Sequence, residues 1–282
     1  MPNVNIRTMT RDELDLAIEL AAREGWNPGL HDAACFHRAD PEGFLIAEVA
    51  GRLAGCISAV AYGAHFGFIG LYIVVPEFRG QGIGMRLWRQ GMRRLNGRVV
   101  GLDGVPAQQD NYRKSGFALA WRNARYAGRA RQLDQALAAQ IRAVSEADFA
   151  ALCADDRRVF PAPREAFLQA WLAMPDASAL LWEEQGRLVG WGVIRRCREG
   201  HKIGPLLADH AQVARGLFDA LCARVPAGEA VFLDVPLDNT EALALVEAQG
   251  MNCVFETARM YAGRAPEIEL PRVFGISTFE LG

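Results

Sequence analysis

Apolar residues recur along the chain at two spacings, which predict a regular succession of strands and helices. Alternation at every second position, bounded by turn residues, predicts strands over residues 4–9, 43–49, 53–62, 66–75 and 98–102. Thr10, with Glu13 three residues later, predicts the N-cap of a helix that stops near Gly25. Apolar positions three and four apart predict a second long helix, at Met85, Trp88, Met92 and Leu95. Short helices near 32–39 and 108–114 and two closing strands, through Phe117 and Tyr126, complete this half.

The same order of elements returns after about residue 135, with almost no residue identity between the two halves. Strands are predicted at 141–144, 179–184, 188–195, 201–204 and 231–235, and Ser145 and Asn239 are expected to begin helices. The alternating stretch 272–281 predicts a further edge strand. We therefore expect two tandem domains, residues 1–130 and 135–282, joined by a connector near residues 128–134.

The run from Tyr72 to Met85 is the strongest candidate for a ligand site. An apolar strand ends at Pro76, which cannot donate to a strand ladder, and a turn with three glycines then opens the long helix. Glycine permits positive φ and close approach of a ligand, and the unpaired N–H groups of a helix N-terminus attract phosphate. Arg79 adds a cation beside this turn. The sequence therefore predicts a phosphate or diphosphate site.

The spacing of the glycines indicates which known kind of phosphate-binding loop this sequence fits. No Gly-Lys-Ser/Thr ending is present, so a Walker loop is excluded. The dinucleotide pattern Gly-x-Gly-x-x-Gly fails at its third glycine, whether it is counted from Gly80 or from Gly82. The pattern that fits is Arg-x-x-Gly-x-Gly, formed by Arg79, Gly82 and Gly84.

A second motif, Tyr-x-x-x-Gly-Phe, lies one helix and one strand further along, at Tyr112, Gly116 and Phe117. Together the two motifs resemble those of the GNAT (GCN5-related) N-acetyltransferases, and the resemblance covers residues 4–127. It implies an α/β fold of two tandem GNAT-like domains. Each would have a mixed, mostly antiparallel sheet flanked by helices, with a V-shaped splay between its fourth and fifth strands. It also implies direct transfer of acetyl from acetyl-CoA to a primary amine of a small molecule, or to a lysine-like group of a peptide.

The resemblance also assigns roles to residues around the loop. Backbone N–H groups of Ile73 and Val75 are expected to hold the pantetheine arm, and Tyr112 is expected to act as general acid near the sulfur. The full set expected to bind the coenzyme is Ile73, Val74, Val75, Arg79, Gly80, Gln81, Gly82, Ile83, Gly84 and Met85.

The general base that deprotonates the acceptor stays open between several groups. An alkylammonium has a pKa of about 10.4 and must lose a proton before it attacks. His65 is a candidate because its pKa lies near neutrality, and Glu48 and Asp103 are carboxylate candidates. A chain of water molecules is a further alternative.

The loop at Trp26 and Asn27, between the first two helices, is the candidate acceptor side of the site. A tryptophan there is expected either to form a wall of the acceptor pocket or to pack on the sheet edge.

The second half lacks both motifs. At the position of the loop it has one glycine, Pro205 removes a donor, and Asp209 near the helix start would repel a diphosphate. No tyrosine stands in the matching stretch 245–251. We expect a degenerate GNAT-like domain that binds coenzyme poorly or not at all. It is expected to cover the acceptor cleft, set substrate choice or support a homodimer, as in bacterial proteins with one active and one divergent GNAT half.

Composition narrows the expected partners and location. The chain has 282 residues, 51% of them hydrophobic, and a net charge of −2 from 31 basic and 33 acidic side chains, which argues against nucleic acid. No signal peptide and no uncharged apolar run near the ~18 residues of a membrane span is present, so we expect a cytoplasmic protein with no membrane partner. Six scattered cysteines predict neither disulfides nor a metal site. An N-acetyltransferase is the favoured function, and a non-catalytic sensor of acyl-CoA is the alternative.

Overall fold

The computed structural model describes residues 3–131 and 139–282. The end of the expected connector, residues 132–134, and the expected start of the second domain at 135 lie outside the described residues. The strands are β1 (Val4–Thr8), β2 (Phe44–Val49), β3 (Arg52–Tyr62), β4 (Phe66–Val74), β5 (Val99–Gly104), β6 (Phe117–Arg129), β7 (Ile141–Ala143), β8 (Ala177–Glu184), β9 (Arg187–Arg196), β10 (His201–Ala208), β11 (Ala230–Pro236), β12 (Asn252–Ala262) and β13 (Val273–Gly275). The helices are α1 (Arg11–Arg23), α2 (Asp32–Ala39), α3 (Ile83–Arg94), α4 (Gln109–Lys114), α5 (Phe149–Asp156), α6 (Glu165–Leu172), α7 (Ala211–Cys222) and α8 (Thr240–Ala248).

A single mixed sheet contains the strands of both halves, and its order is nearly mirror-symmetric about the centre. The order is β1-β2-β3-β4-β5-β12-β6-β11-β10-β9-β8-β7, with β13 beside β10. Neighbouring strands are antiparallel except β4 with β5 and β10 with β11, which are parallel. The strands of the two halves therefore have the same spatial order in the sheet, and the tandem repeat expected from element order is confirmed.

The last strand of each half pairs with the other half. Strand β12 of the second half lies between β5 and β6, and β6 of the first half pairs with β11 from Ala230 opposite Arg129 to Pro236 opposite Asn123. This exchange connects the two halves by backbone hydrogen bonds on both sides of the centre. The hydrogen-bonded sheet thus does not divide at the boundary expected near residues 130–135.

Most local signals in the sequence correspond to the observed elements. Thr10 and Glu13 form a capping box at the start of α1, as their spacing predicts. The two closing strands expected through Phe117 and Tyr126 are instead one strand, β6. It stays continuous because it pairs along its length with β11 and β12, and an irregular register bends the ladder without ending it.

The fourth and fifth strands of each half separate part-way along, which is the expected splay. In the first half, β4 and β5 pair only from Phe66 opposite Val99 to Ile69 opposite Leu102. In the second half the gap is filled by the chain itself, because β13 pairs with β10 where β10 has left β11. The stretch expected to add an edge strand thus forms only the short internal strand β13. The following residues, 276–282, are all buried, and we call them the tail segment.

Buried ion pairs also join the halves. Arg195 on β9 donates through Nε to Asp32 Oδ1 on α2 at 2.9 Å, and Arg125 on β6 binds both oxygens of Asp234 on β11 at 2.6 and 2.8 Å. All four side chains are at most 4% exposed. Breaking such a pair leaves an unpaired buried charge, so these contacts tie the halves into one arrangement. None of the helices within the described ranges is long and apolar enough to cross a membrane.

Candidate active site

A cavity of about 390 Å³ opens where β4 and β5 part. One side is formed by the second part of β4 and the end of β5, both from the first half. The other side is formed by β12 and the tail segment, both from the second half, together with the loop after α1. The splay thus forms a cleft that both halves line.

The glycine-rich turn forms an open helix N-terminus beside this cavity. Gly80 and Gly82 adopt φ values of 76° and 77°, and a Cβ added at either would meet nothing within 4 Å. The first helical hydrogen bond runs from Arg86 N–H to Gly82 O at 3.2 Å. Among the described residues no acceptor is found for the N–H groups of Ile83, Gly84 and Met85. These amides and the helix dipole fit a diphosphate.

The first turn of α3 packs closely on β4, and this explains its third glycine. A Cβ at Gly84 would lie 2.8 Å from the Tyr72 hydroxyl and 3.2 Å from Val74 Cγ2. A larger side chain at this position would have to displace either the Tyr72 ring or the start of the helix. The glycine therefore sets the distance between the open amides and the cavity.

Arg79 lies on the rim of the cavity, between the turn and β4. Its Nε donates to Val74 O at 2.8 Å, and its Nη2 forms a short ion pair with Glu24. Ile73 and Val74 also line the cavity. Residues 80–85, which form the glycine turn and the first residues of α3, lie outside it. The expected coenzyme residues thus divide into a group along the cleft and a group at the helix.

The backbone of β4 differs from the expected pantetheine contacts in one respect. The N–H of Val75 donates to Ala54 O at 3.1 Å, so this amide is already occupied by the sheet. A bulge lies further back along the strand, where Leu71 and Tyr72 together oppose Ile57, and Leu71 has a φ of 43°. A bulge disrupts the ladder locally and re-aims backbone groups, so the amides of Leu71 and Tyr72 are candidates for the pantetheine contacts.

Tyr112 lies in an aromatic cluster on the wall of the cavity. Its ring centroid is 5.5 Å from that of Trp88 and 6.4 Å from that of Phe117. Gly104 at the end of β5 makes room for it, since a Cβ there would lie 2.3 Å from Tyr112 Cε2. Burial, with a smaller contribution from Tyr72, raises the pKa of Tyr112 to about 12. The phenol is therefore a neutral proton donor over the whole physiological range.

The three candidate bases lie in different places. His65 is exposed in the turn before β4, at the opposite end of that strand from the cavity, and Glu48 accepts a hydrogen bond from Arg7 Nη2 at 2.7 Å on β2. Only Asp103 lines the cavity. Both of its oxygens bind Arg259, at 2.8 and 2.7 Å, and burial raises its pKa while Arg259 offsets part of the rise. An Asp103 carboxylate engaged in this way has little capacity left for a substrate proton.

Of the two residues expected on the acceptor side, Trp26 and Asn27, only the first lines the cavity. Trp26 is half-buried and lines the cavity, and its carbonyl accepts from Arg125 Nη1 at 2.6 Å. Asn27 turns away with a φ of 48°, and its side chain bonds the backbone N–H and carbonyl of Glu199 at 2.9 and 3.0 Å. Trp26 thus lines the candidate site, and Asn27 joins the two halves.

Several cavity residues were not singled out from the sequence. One is Tyr72, whose ring is 5.6 Å from Trp88 and whose pKa is raised by burial. Four more come from the second half, and they are Phe255, Thr257, Phe279 and Glu280. For Tyr72, the alternation along β4 was a usable signal. For the other four no local signal exists, because the strand exchange brings them to the cleft.

Two family models match the chain. One is described as an acetyltransferase (GNAT) family and matches residues 10–117, and the other as an acetyltransferase (GNAT) domain and matches residues 152–275. A curated relative, the holothin acyltransferase of Pseudoalteromonas sp. (strain SANK 73390), is 31% identical over 272 residues, which is 96% of this chain and 92% of the relative. The chain belongs to the GNAT acetyltransferase family.

Solved structures agree with this GNAT fold. An inferred acetyltransferase from Pyrococcus horikoshii superposes with a TM-score of 0.83 at 22% identity, covering 99% of this chain and 96% of that one. A tandem GNAT protein from the clavulanic acid biosynthesis pathway gives a TM-score of 0.65 at 14% identity, covering 94% and 100%. The expected tandem GNAT fold is thus confirmed. The family and the acyltransferase relative support an acyltransferase enzyme over the alternative of a non-catalytic sensor.

Proposed function

We propose that the protein is an acetyl-CoA-dependent N-acetyltransferase whose donor site is in the first half and whose acceptor is the primary amine of a small molecule. The observation that carries the proposal is the open N-terminus of α3 standing directly beside the cleft between β4 and β5. The free amides would bind the diphosphate, and the neighbouring cleft would hold the pantetheine and the thioester. These two features follow one another in the same order as the corresponding parts of acetyl-CoA. In the described part of the chain no group of three or more His, Cys, Asp or Glu could hold a metal.

The proposed chemistry follows from the residues around the cleft. Amides of Ile83, Gly84 and Met85 bind the diphosphate, and bulge amides at Leu71 and Tyr72 hold the thioester arm. The amine attacks the thioester carbonyl carbon, a C–N bond forms, and the C–S bond breaks. Tyr112 donates its proton toward the leaving sulfur, a kind of assistance worth typically about 10²–10⁴-fold.

The second half is proposed to bind no coenzyme. Its own splay is closed by β13, and the N–H of Ile276 donates to Asp234 O at 2.9 Å inside the gap. Asp209, before α7, forms ion pairs with Arg187 and Arg272, so a carboxylate stands where a diphosphate would have to bind. The second half is then a wall of the acceptor site.

A small-molecule acceptor is favoured by two observations. The cavity of about 390 Å³ is closed on one side by the buried tail segment, which leaves little room for a folded polypeptide. The relative that matches nearly the whole chain is named for the acylation of holothin. A cytoplasmic location stays a prediction from the sequence.

Titration calorimetry with acetyl-CoA, followed by a thiol-release assay with a panel of amines, tests this proposal. We expect binding by the intact protein and its loss in Gly82→Glu, because a carboxylate would enter the diphosphate position. Gly186→Glu is the matched control, since Gly186 has a φ of 75° and equally open surroundings in the β8–β9 hairpin. Absence of binding in the unmodified protein, or equal loss in both variants, would contradict the proposal.

A further inference from the structure

One wall of the cavity carries side chains that are not among the contacts proposed for acetyl-CoA. Phe255, Thr257, Phe279 and Glu280 of the second half face the cleft together with Trp26 of the first half. Three of these five side chains are aromatic and two are polar and almost completely buried, with exposures of 2% for Thr257 and 5% for Glu280. A surface of this composition fits a ligand that is apolar at one end and charged at the other.

Among the residues that the structure describes, the Glu280 carboxylate has no cation in direct contact with it. Within residues 3–131 and 139–282 it forms no ion pair, and its side chain receives one hydrogen bond, from the Thr278 hydroxyl. Asp103, the other carboxylate of the cavity, is by contrast fully engaged by Arg259. Arg125 and Arg195 act on this carboxylate only from beyond ion-pair distance, so an ammonium ion in direct contact with it would be favourable.

A second buried polar group points to the same ligand. The Thr257 hydroxyl on β12 has no hydrogen-bond partner in the described part of the chain, although it is buried on the cavity wall. An unsatisfied buried hydroxyl is unfavourable, so such groups normally have a partner. An acceptor amine, which carries several N–H donors as the ammonium ion, would supply one.

The aromatic part of the wall is held in place from behind by Arg125. Its guanidinium lies 5.8 Å from the Phe255 ring centroid and 5.1 Å from that of Phe279, and it donates to the Trp26 carbonyl. The same guanidinium is fixed by Asp234. One buried cation therefore positions all three aromatic residues, and the wall is preformed.

The tail segment that carries Glu280 is equally fixed. Its backbone passes so close to β4 that a Cβ added at Gly70 would lie 2.1 Å from Glu280 O. The Tyr62 hydroxyl donates to Leu281 O at 3.1 Å, and Arg164 Nη1 donates to Gly282 O at 2.8 Å. Glu280 therefore stands next to the point where β4 leaves β5, at the start of the bulge.

We propose that this wall is the acceptor subsite and that it selects a primary arylalkylamine, with Glu280 binding the ammonium group and taking its proton. The inference rests on the proposed N-acetyltransferase function. One proton passes from the ammonium to the carboxylate, and the neutral amine then attacks the thioester carbon. As the C–S bond breaks, Tyr112 protonates the sulfur, and the proton that the new amide nitrogen loses restores the Tyr112 phenol. Glu280 finally releases its proton to water. The ring of the acceptor packs between Trp26, Phe255 and Phe279, and the hydroxyl of Thr257 meets the amine.

The test compares amines and variants in the thiol-release assay with acetyl-CoA. In the unmodified protein, benzylamine, phenethylamine and tryptamine should give higher kcat/KM than spermidine and lysine, which have no ring. Glu280→Gln keeps the shape but removes the charge, and it should lower kcat/KM for the best arylalkylamine by about 10²–10⁴-fold. The acetyl-CoA affinity should stay within about twofold in calorimetry, and Glu280→Asp should restore part of the rate.

Glu256→Gln is the control, because Glu256 is exposed on the same strand, between Phe255 and Thr257. It should leave kcat/KM unchanged. The inference is overturned if Glu280→Gln retains activity within about threefold, or if the ring-free amines are the better substrates. It is also overturned if the protein binds acetyl-CoA but releases no thiol with any arylalkylamine. In each of these cases coenzyme binding persists, whereas failure of the proposed function abolishes binding in the unmodified protein.

Discussion

Replacement of Tyr112 by phenylalanine isolates the contribution of one phenol to catalysis. The ring contacts with Trp88 and Phe117 persist, and Gly104 still provides the space for the ring. In the described ranges the Tyr112 hydroxyl makes no hydrogen bond to another protein group. Its removal therefore leaves no buried partner unsatisfied, and the free energy of unfolding should change by less than about 0.5 kcal/mol.

The expected kinetic effect is much larger than the effect on stability. Because burial raises the pKa of Tyr112 to about 12, the phenol is fully protonated at neutral pH and can donate to the leaving sulfur. Loss of such a donor typically lowers the rate by about 10²–10⁴-fold, which corresponds to about 2.7–5.4 kcal/mol of transition-state stabilisation. The unmodified enzyme should also show no alkaline loss of rate through Tyr112 below about pH 10, since the donor form persists until the pH approaches its raised pKa.

The assay is thiol release under saturating acetyl-CoA, with calorimetry to show that the coenzyme still binds. Tyr72→Phe is the matched control, because Tyr72 also packs on Trp88 and lines the same cavity. A kcat for Tyr112→Phe within about threefold of the unmodified enzyme, with binding intact, would refute the role assigned to this phenol. A large loss in Tyr72→Phe alone would transfer that role to Tyr72.

Four further predictions concern the loop, the contacts between the halves and the fold. Gly84→Ala should weaken acetyl-CoA binding in calorimetry, because the added methyl meets the Tyr72 hydroxyl and shifts the start of α3. Asp32→Asn should lower the free energy of unfolding by about 3–5 kcal/mol in urea titrations, because Arg195 keeps a buried charge without its partner. Hydrogen bonds from Arg7 and Thr10 lower the pKa of Glu13 from 4.5 to about 2, so its contribution to stability is complete above pH 4.5 and lost as the pH falls through 2. Thermal melts between these values should show a smaller pH dependence in Glu13→Gln. Residues 1–131 expressed alone should show no cooperative thermal transition, because β5 and β6 lose their partners β12 and β11.

The donor side of the site could be predicted from the sequence because its parts are contiguous. The strand, the proline stop, the glycine turn and the helix of residues 72–95 follow one another, and each carries a local signal. Tyr112 is further away, but its own motif and the intervening elements fix where it lies. The Val75 amide was wrongly expected to face the ligand. The alternation of apolar residues in a strand does not show to which of its two neighbours a given N–H donates.

The acceptor side could not be predicted in the same way. His65 was attractive for its chemistry, but it lies in the turn before β4, and the cavity lining on that strand begins four residues later, at Ile69, or about 13 Å away at ~3.3 Å per residue. Glu280 was hidden because the apolar alternation of its stretch indicates a strand, while the chain in fact forms a short strand followed by a buried tail segment. Phe255 and Thr257 lie on β12, and no local signal in the sequence indicates that this strand inserts between β5 and β6. Only pairing across the halves places them beside β5.

This exchange of strands divides the work of the enzyme between its halves. The residues proposed for the donor, Gly82 and Tyr112 among them, all belong to the first half, whereas four of the five residues on the opposite wall belong to the second. The second half, which we propose binds no coenzyme, has its own splay filled by β13. On this proposal most of the acceptor wall lies in β12 and the tail segment, away from the glycine loop of the donor site. Among related tandem enzymes, acceptor choice should accordingly vary with the positions equivalent to 255–280, while the loop of residues 79–85 keeps its pattern.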